Sequence, residues 1–201
     1  MVRVEWPVLE GVQVETLLSN LIYNLDGRSI RLRPSQGDYG IDVIRPAEPN
    51  SDLWDVYQIK KFARNLESGQ KRQIVDSFAR ALVGMLRRGV PLNDWYLVLP
   101  LDPTLENYLD WFRTVPAEAV DKLHKDKKLD PPLSAEEEAR IKAWRETPGR
   151  VIGWKGLDFC EGLAADYPYG IYDALDPRAS EDRWMDLWLR RLRPSRSQHA
   201  D

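Results

Sequence analysis

Cysteine and histidine, the side chains that most often hold transition metals or act as nucleophiles and bases, are almost missing from this chain. Cys160 is the single cysteine among 201 residues, which excludes an internal disulfide and a zinc site built on several thiolates. One thiol without a partner fits a reducing, cytoplasmic setting. The two histidines are His124, in a charged segment, and His199, close to the C-terminus. A Ser-His-Asp hydrolase or a His-based nuclease is hard to build from them. No apolar run approaches the ~18 residues that a membrane-spanning helix needs, and MVRVEWPVLEG has no apolar h-region of the signal-peptide kind. The phosphate-cradling patterns G-x-x-x-x-G-K-[ST] and G-x-G-x-x-G are also missing, and Gly37 to Gly40 is too short to cradle a nucleotide. Chemistry in this chain falls to carboxylates and lysine.

What is there describes a globular protein. Hydrophobic residues make up 43% and charged residues 30%, a balance that supports a packed core rather than disorder. The length suits one compact domain with an elaboration. Eight tryptophans imply a large aromatic core. A net charge of −3 argues, as a sum, against a dedicated nucleic-acid binder. Its distribution is uneven: Arg28, Arg31, Arg33, Lys60, Lys61, Arg64, Lys71, Arg72, Arg80, Arg87 and Arg88 all precede the acidic Ser134-Ala-Glu-Glu-Glu run. A basic face on an acidic whole follows from that order.

Residues 11 to 25 carry apolar side chains at Val14, Leu17, Leu18, Leu21, Ile22 and Leu25, a helical spacing that Asp26-Gly27 ends with a glycine cap. Strands are expected over Ser29 to Arg33, Ile41 to Ile44 and Val56 to Lys60, with a turn at residues 34–40 and a surface loop from Arg45 to Asp55. A long helix runs from Gln70 to Arg88 on the stripe Ile74, Val75, Phe78, Ala81, Leu82 and Met85, closed by Gly89. Trp95 to Leu99 reads as a strand covered on both faces. Beyond it come a short helix at 103–113, an exposed charged stretch at 117–128 and a helix opened by the capping box of Ser134 and Glu137. A fifth strand near 150–154 and helices at 157–165 and 181–192 complete the order. The fold class is α/β, with an α-β-β-β-α-β core over residues 1–115, a mixed central sheet flanked by helices, and a C-terminal helical elaboration over 116–201 packed on the same domain.

Inside the second and third strands the polar positions are few: Asp42 in the first of the pair, Gln58 and Lys60 in the other. Strand alternation puts Gln58 and Lys60 on one face, Tyr57 and Ile59 on the other. An acid, an amide and an amine crowded together need a pairing partner, and a divalent cation with a phosphate is one. G-I-D-V-I at residues 40–44 and Y-Q-I-K-K at 57–61 together resemble the D…(D/E/Q)xK signature of the PD-(D/E)xK nuclease superfamily. The Gln form with G-x-D upstream is most similar to its Mrr-like restriction endonuclease branch. It also resembles nuclease domains at the N-termini of bacterial anti-phage defence proteins. The resemblance spans roughly residues 10 to 100 and implies a restriction-endonuclease-like core.

On that resemblance, the chain is expected to be a Mg²⁺-dependent endodeoxyribonuclease, with Mn²⁺ as a substitute, acting in restriction or phage defence. Asp42, the Gln58 amide oxygen and the Ile59 backbone carbonyl are the expected ligands. Glu15, which precedes Gly27 by the offset at which the family places a helical acid, completes the shell, with Glu10 as its fallback. Lys60 faces the phosphate and the attacking water. Arg31, Arg33, Lys61, Arg64, Lys71 and Arg72 are candidate DNA contacts to the backbone rather than to bases. Because Gln58 stands where the commoner motif has an acid, the site carries one negative charge fewer, which speaks against two tightly held metals and agrees with the Mrr-like branch. The bland alternative pairs Asp42 with Arg31 or Arg33 across the sheet, makes Lys60 an edge residue, Asp38 a turn residue and Asp55 an acid at a strand's start. The competing functional readings are an inactive nuclease fold that binds nucleic acid or a protein, and one domain of a longer defence protein gated by a sensor or NTPase segment. Family members often dimerise, since cutting both strands needs two sites.

Overall fold

The computed structural model describes residues 4–32, 39–62, 66–125, 129–168 and 170–171. Helix α1 (Gly11–Leu25) starts from Glu10, whose N–H is held by Gln13 Oε1 at 2.8 Å. Of its predicted stripe, Val14, Leu17, Leu18, Leu21 and Ile22 are buried, while Leu25 at the helix end is exposed. Its end differs from expectation. Asp26 caps it in an extended conformation, and the Asp26 carboxylate accepts the Arg28 backbone N–H at 3.0 Å and its Nη2 at 2.7 Å. The Asp26 N–H closes the last turn on the Ile22 carbonyl at 3.1 Å, and Gly27 takes no left-handed φ.

Strand β1 (Ile30–Arg31) is shorter than the predicted 29–33, and Arg33 lies outside the described residues. Strand β2 (Val43–Pro46) begins two residues later than predicted, leaving Asp42 just before it, and β3 (Trp54–Ile59) begins earlier. Residues 45 and 55, expected in a loop, are ladder partners. The hairpin closes tightly because Ala47 N–H reaches the Leu53 carbonyl at 2.8 Å and Asn50 accepts a left-handed φ of 65°. Helix α2 (Ser68–Arg87) crosses to β4 (Leu92–Val98). A π-helical turn (Glu106–Trp111) and a 3-10 turn (Phe112–Thr114) stand where one short helix was expected. The predicted exposed stretch at 117–128 is instead largely helix α3 (Val115–Lys125), with Ala119, Val120 and Leu123 buried. With Val115, four small or branched apolar residues suffice to seat it. Helix α4 (Ala135–Glu146) opens on the predicted Ser134 cap, then β5 (Ile152–Lys155) and α5 (Leu157–Asp166) follow. The predicted helix at 181–192 lies outside the described residues.

The elements make an α/β fold around one five-stranded mixed sheet in the order β1-β2-β3-β4-β5. β1, β2 and β3 are antiparallel; β3, β4 and β5 are parallel. One face buries α1 and α5 against Val43, Tyr57, Ile59 and Val98. The other buries α2, α3 and Ile141 of α4 against Val56, Leu92, Trp95 and Leu97. Residues beyond 115 therefore supply a strand of the sheet and parts of both cores.

Candidate functional site

Strands β2 and β3 are paired only as far as Val43 opposite Tyr57. One residue beyond, a side chain replaces the ladder: Asp42 Oδ2 accepts the Ile59 N–H at 2.6 Å, a charge-assisted bond. Beside it Gln58 Nε2 donates to the Gly40 carbonyl. Two hydrogen bonds thus stitch residues 40–42 to residues 58–60. Gly40 has a φ of +67°, and a Cβ on it would stand 3.2 Å from Gln58 Nε2 and 3.8 Å from Arg80 Nη2, so glycine is what lets the turn lie against the amide.

The same face of β3 carries Val56, Gln58 and Lys60, and Val56 belongs to the core beneath α2. Gln58 is 0% exposed, and its Oε1 has no hydrogen-bond partner among the described residues. A buried acceptor left unpaired is costly, so this oxygen marks the spot where a cation or donor would be most welcome. Lys60 is half-buried and opens into a cleft of about 570 Å³ between the end of β3, α2 and α3. Tyr39, Gln73, Asp76, Arg80 and Lys122 share that cleft with it.

Asp42 is thereby joined to the Ile59 backbone and Gln58 to Gly40, and of these expected site residues Lys60 lines the cleft. Glu15 is not brought to the same face: α1 packs on the Tyr57 and Ile59 side of the sheet, the layer opposite Gln58 and Lys60. Glu10, the alternative acid, is the exposed helix cap. The candidate DNA contacts scatter. Lys71 and Arg72 line a second groove between α2 and α3. Lys61 turns to the other side and donates to the Pro7 carbonyl at 3.2 Å. Arg31 donates to Thr16 Oγ1 at 3.0 Å on α1, so it holds the sheet edge to the helix. Arg33 and Arg64 lie outside the described residues.

Hard oxygen donors are the chemistry that Mg²⁺ prefers, and the Asp42 carboxylate, the Gln58 amide oxygen and the Ile59 carbonyl supply that type. No three or more of His, Cys, Asp and Glu gather into a metal-holding group among the described residues. A cation held here would thus depend on one carboxylate, amide and backbone oxygens, and water.

Gln73, Asp76 and Ser77 were not among the expected site residues, and Arg80 was placed only in the basic run. The signal was present: Gln73, Asp76, Ser77 and Arg80 recur at i, i+3, i+4 and i+7, a polar stripe along one side of α2. Asp55 is also more than a strand-start acid. It is 2% exposed and accepts from Arg45 Nη2 at 2.7 Å and Asn93 Nδ2 at 2.8 Å. This buried network ties β2, β3 and β4 at the end away from Lys60.

Comparison with protein-family models, with curated proteins and with solved structures finds no match to this chain.

Proposed function

We propose that this chain is a metal-dependent endodeoxyribonuclease of the PD-(D/E)xK type, an effector in restriction or phage defence. The observation that carries the reading is that the Asp42 and Gln58 side chains join residues 40–42 to residues 58–59 at the diverging ends of β2 and β3, next to Lys60 and a cleft that Arg80 and Lys122 also line. The element order α1-β1-β2-β3-α2-β4 is the order the sequence resemblance calls for.

In this mechanism Asp42, Gln58 Oε1 and the Ile59 carbonyl would hold Mg²⁺. When bound, the ion supplies Lewis-acid activation of the scissile phosphate and a nucleophilic water. Lys60 places its ammonium in the cleft and neutralises charge that builds on the phosphate in the transition state. The Asp42 bond to Ile59 N–H fixes the carboxylate, and the Gly40 carbonyl fixes the Gln58 amide plane. Glu15 stands in the α1 layer, so its loss is expected to cost less than that of Asp42.

Plasmid cleavage in Mg²⁺ or Mn²⁺ tests this. Among the described residues the Lys60 ammonium makes no hydrogen bond that holds the fold, so Lys60→Ala is expected to keep wild-type stability and lose about 10²-fold or more in rate. Asp42→Ala is expected to abolish cutting. Wild-type rates in both variants would remove the proposal.

One observation favours a second reading, a non-cutting fold that retains nucleic acid. Asp42 Oδ2 is already engaged by the Ile59 N–H and Gln58 Nε2 by the Gly40 carbonyl, which is structural service. That reading predicts DNA retention without turnover under any divalent ion, with binding unchanged by Asp42→Ala.

A further inference from the structure

The cleft that holds Lys60 does not end at α2. A second groove, about 580 Å³, runs along the seam between α2 and α3 past Lys71, Arg72 and Lys125. Both grooves are lined by the same two residues, Asp76 and Lys122, which form an ion pair across the seam. With side chains 42% and 34% exposed, the pair is well solvated, and such pairs add little to stability. The two helices share a buried core that includes Val75, Ala79, Ala119 and Leu123, so the seam holds without it. Its position is what distinguishes it: one acid neutralises one lysine where two cation-bearing grooves meet. Glu118 and Asp121 also line the second groove, and Glu118 is engaged by Thr114 Oγ1.

We infer that the Asp76–Lys122 pair is a gate in a track for a DNA backbone. A strand seated on Lys60 continues along the seam onto Lys71, Arg72 and Lys125, and one of its phosphates takes Lys122 from Asp76. The exchange keeps Lys122 paired throughout, while Asp76, left without a cation, turns to solvent. The inference rests on reading the Lys60 cleft as a DNA site, and it does not require that the DNA be cut.

Because Asp76 competes with phosphate, removing an acid should tighten binding. Fluorescence anisotropy of a labelled DNA duplex in EDTA, over a series of salt concentrations, reads this without cleavage. Asp76→Asn is expected to bind about fivefold tighter or more. Lys122→Gln is expected to bind more weakly and to lower the slope of log K against log salt by about 1. The double variant should match Lys122→Gln, since the competitor matters only while Lys122 is present. Equal affinity in wild type and Asp76→Asn overturns the gate, and so does wild-type protein that fails to bind the duplex. Loss of the nuclease reading alone would leave the anisotropy series as predicted; loss of the gate alone would leave plasmid cutting intact.

Discussion

A methyl group on Gly40 would disturb the geometry of the motif without touching its chemistry. Its φ of +67° is costly for a side-chain-bearing residue, and the added carbon would press on Gln58 Nε2 at 3.2 Å. Gly40→Ala is expected to lose about 1–2 kcal/mol of stability by denaturant unfolding. Because it displaces the Gln58 amide, it is also expected to reduce cutting beyond what stability explains. At this scale the sequence shows which residues matter better than what they do. Gly40, Asp42, Gln58 and Lys60 stand out as polar or permissive positions in apolar strands. The bonds from Asp42 to Ile59 and from Gln58 to Gly40 join residues 17 and 18 positions apart, and no periodicity encodes them. Asp55 is the same case: its partners Arg45 and Asn93 come from two different strands, so its burial is visible only once the strands are paired.

Elements were legible where one apolar stripe decides them, as in α1, α2 and β4. They were not where packing overrules local signs. Helix α3 is rich in charge, and only its tertiary contacts show that Ala119, Val120 and Leu123 form its inner face. Helix α2 carries Gly84 in its interior, against its propensity. The structure gives the reason: a Cβ there would lie 2.4 Å from Cγ of Tyr39. The ring rests on the bare backbone while the Arg88 guanidinium covers it at 4.8 Å. The turn leading to Asp42 is thus seated on α2, and any shift of that helix moves the motif. The end of α1 offers a pH test. Hydrogen bonding from Arg28 lowers the Asp26 carboxyl to about 2. A carboxyl whose folded pKa lies below its unfolded value stabilises the fold above the unfolded value and stops doing so as pH falls through the folded one. Asp26→Asn is therefore expected to lower thermal stability at pH 7, by under about 1 kcal/mol for so solvated a pair. The gap to wild type should close between pH about 4 and 2 in thermal scans.

For the whole molecule, composition pointed to one domain, and the sheet shows how the last third joins it. β5 pairs with β4, Trp144 of α4 donates to the Leu92 carbonyl at 3.0 Å, and Cys160 and Leu163 of α5 fill the core over α1. Residues 1–115 alone are expected to lack a cooperative unfolding transition and a near-ultraviolet dichroism signal; a sharp transition in that fragment would contradict this.

The spatial order of the strands repeats their order along the chain. During synthesis the first four can assemble as they emerge, each on an edge already present. β5 comes more than fifty residues after β4, so until then the Leu92–Val98 edge has no neighbour. An open parallel edge of buried-type residues is what chaperones bind and what other nascent chains can pair with. Ribosome-arrested chains that stop before β5 are accordingly expected to be protease-sensitive and chaperone-bound, and chains that extend past α5 to be neither.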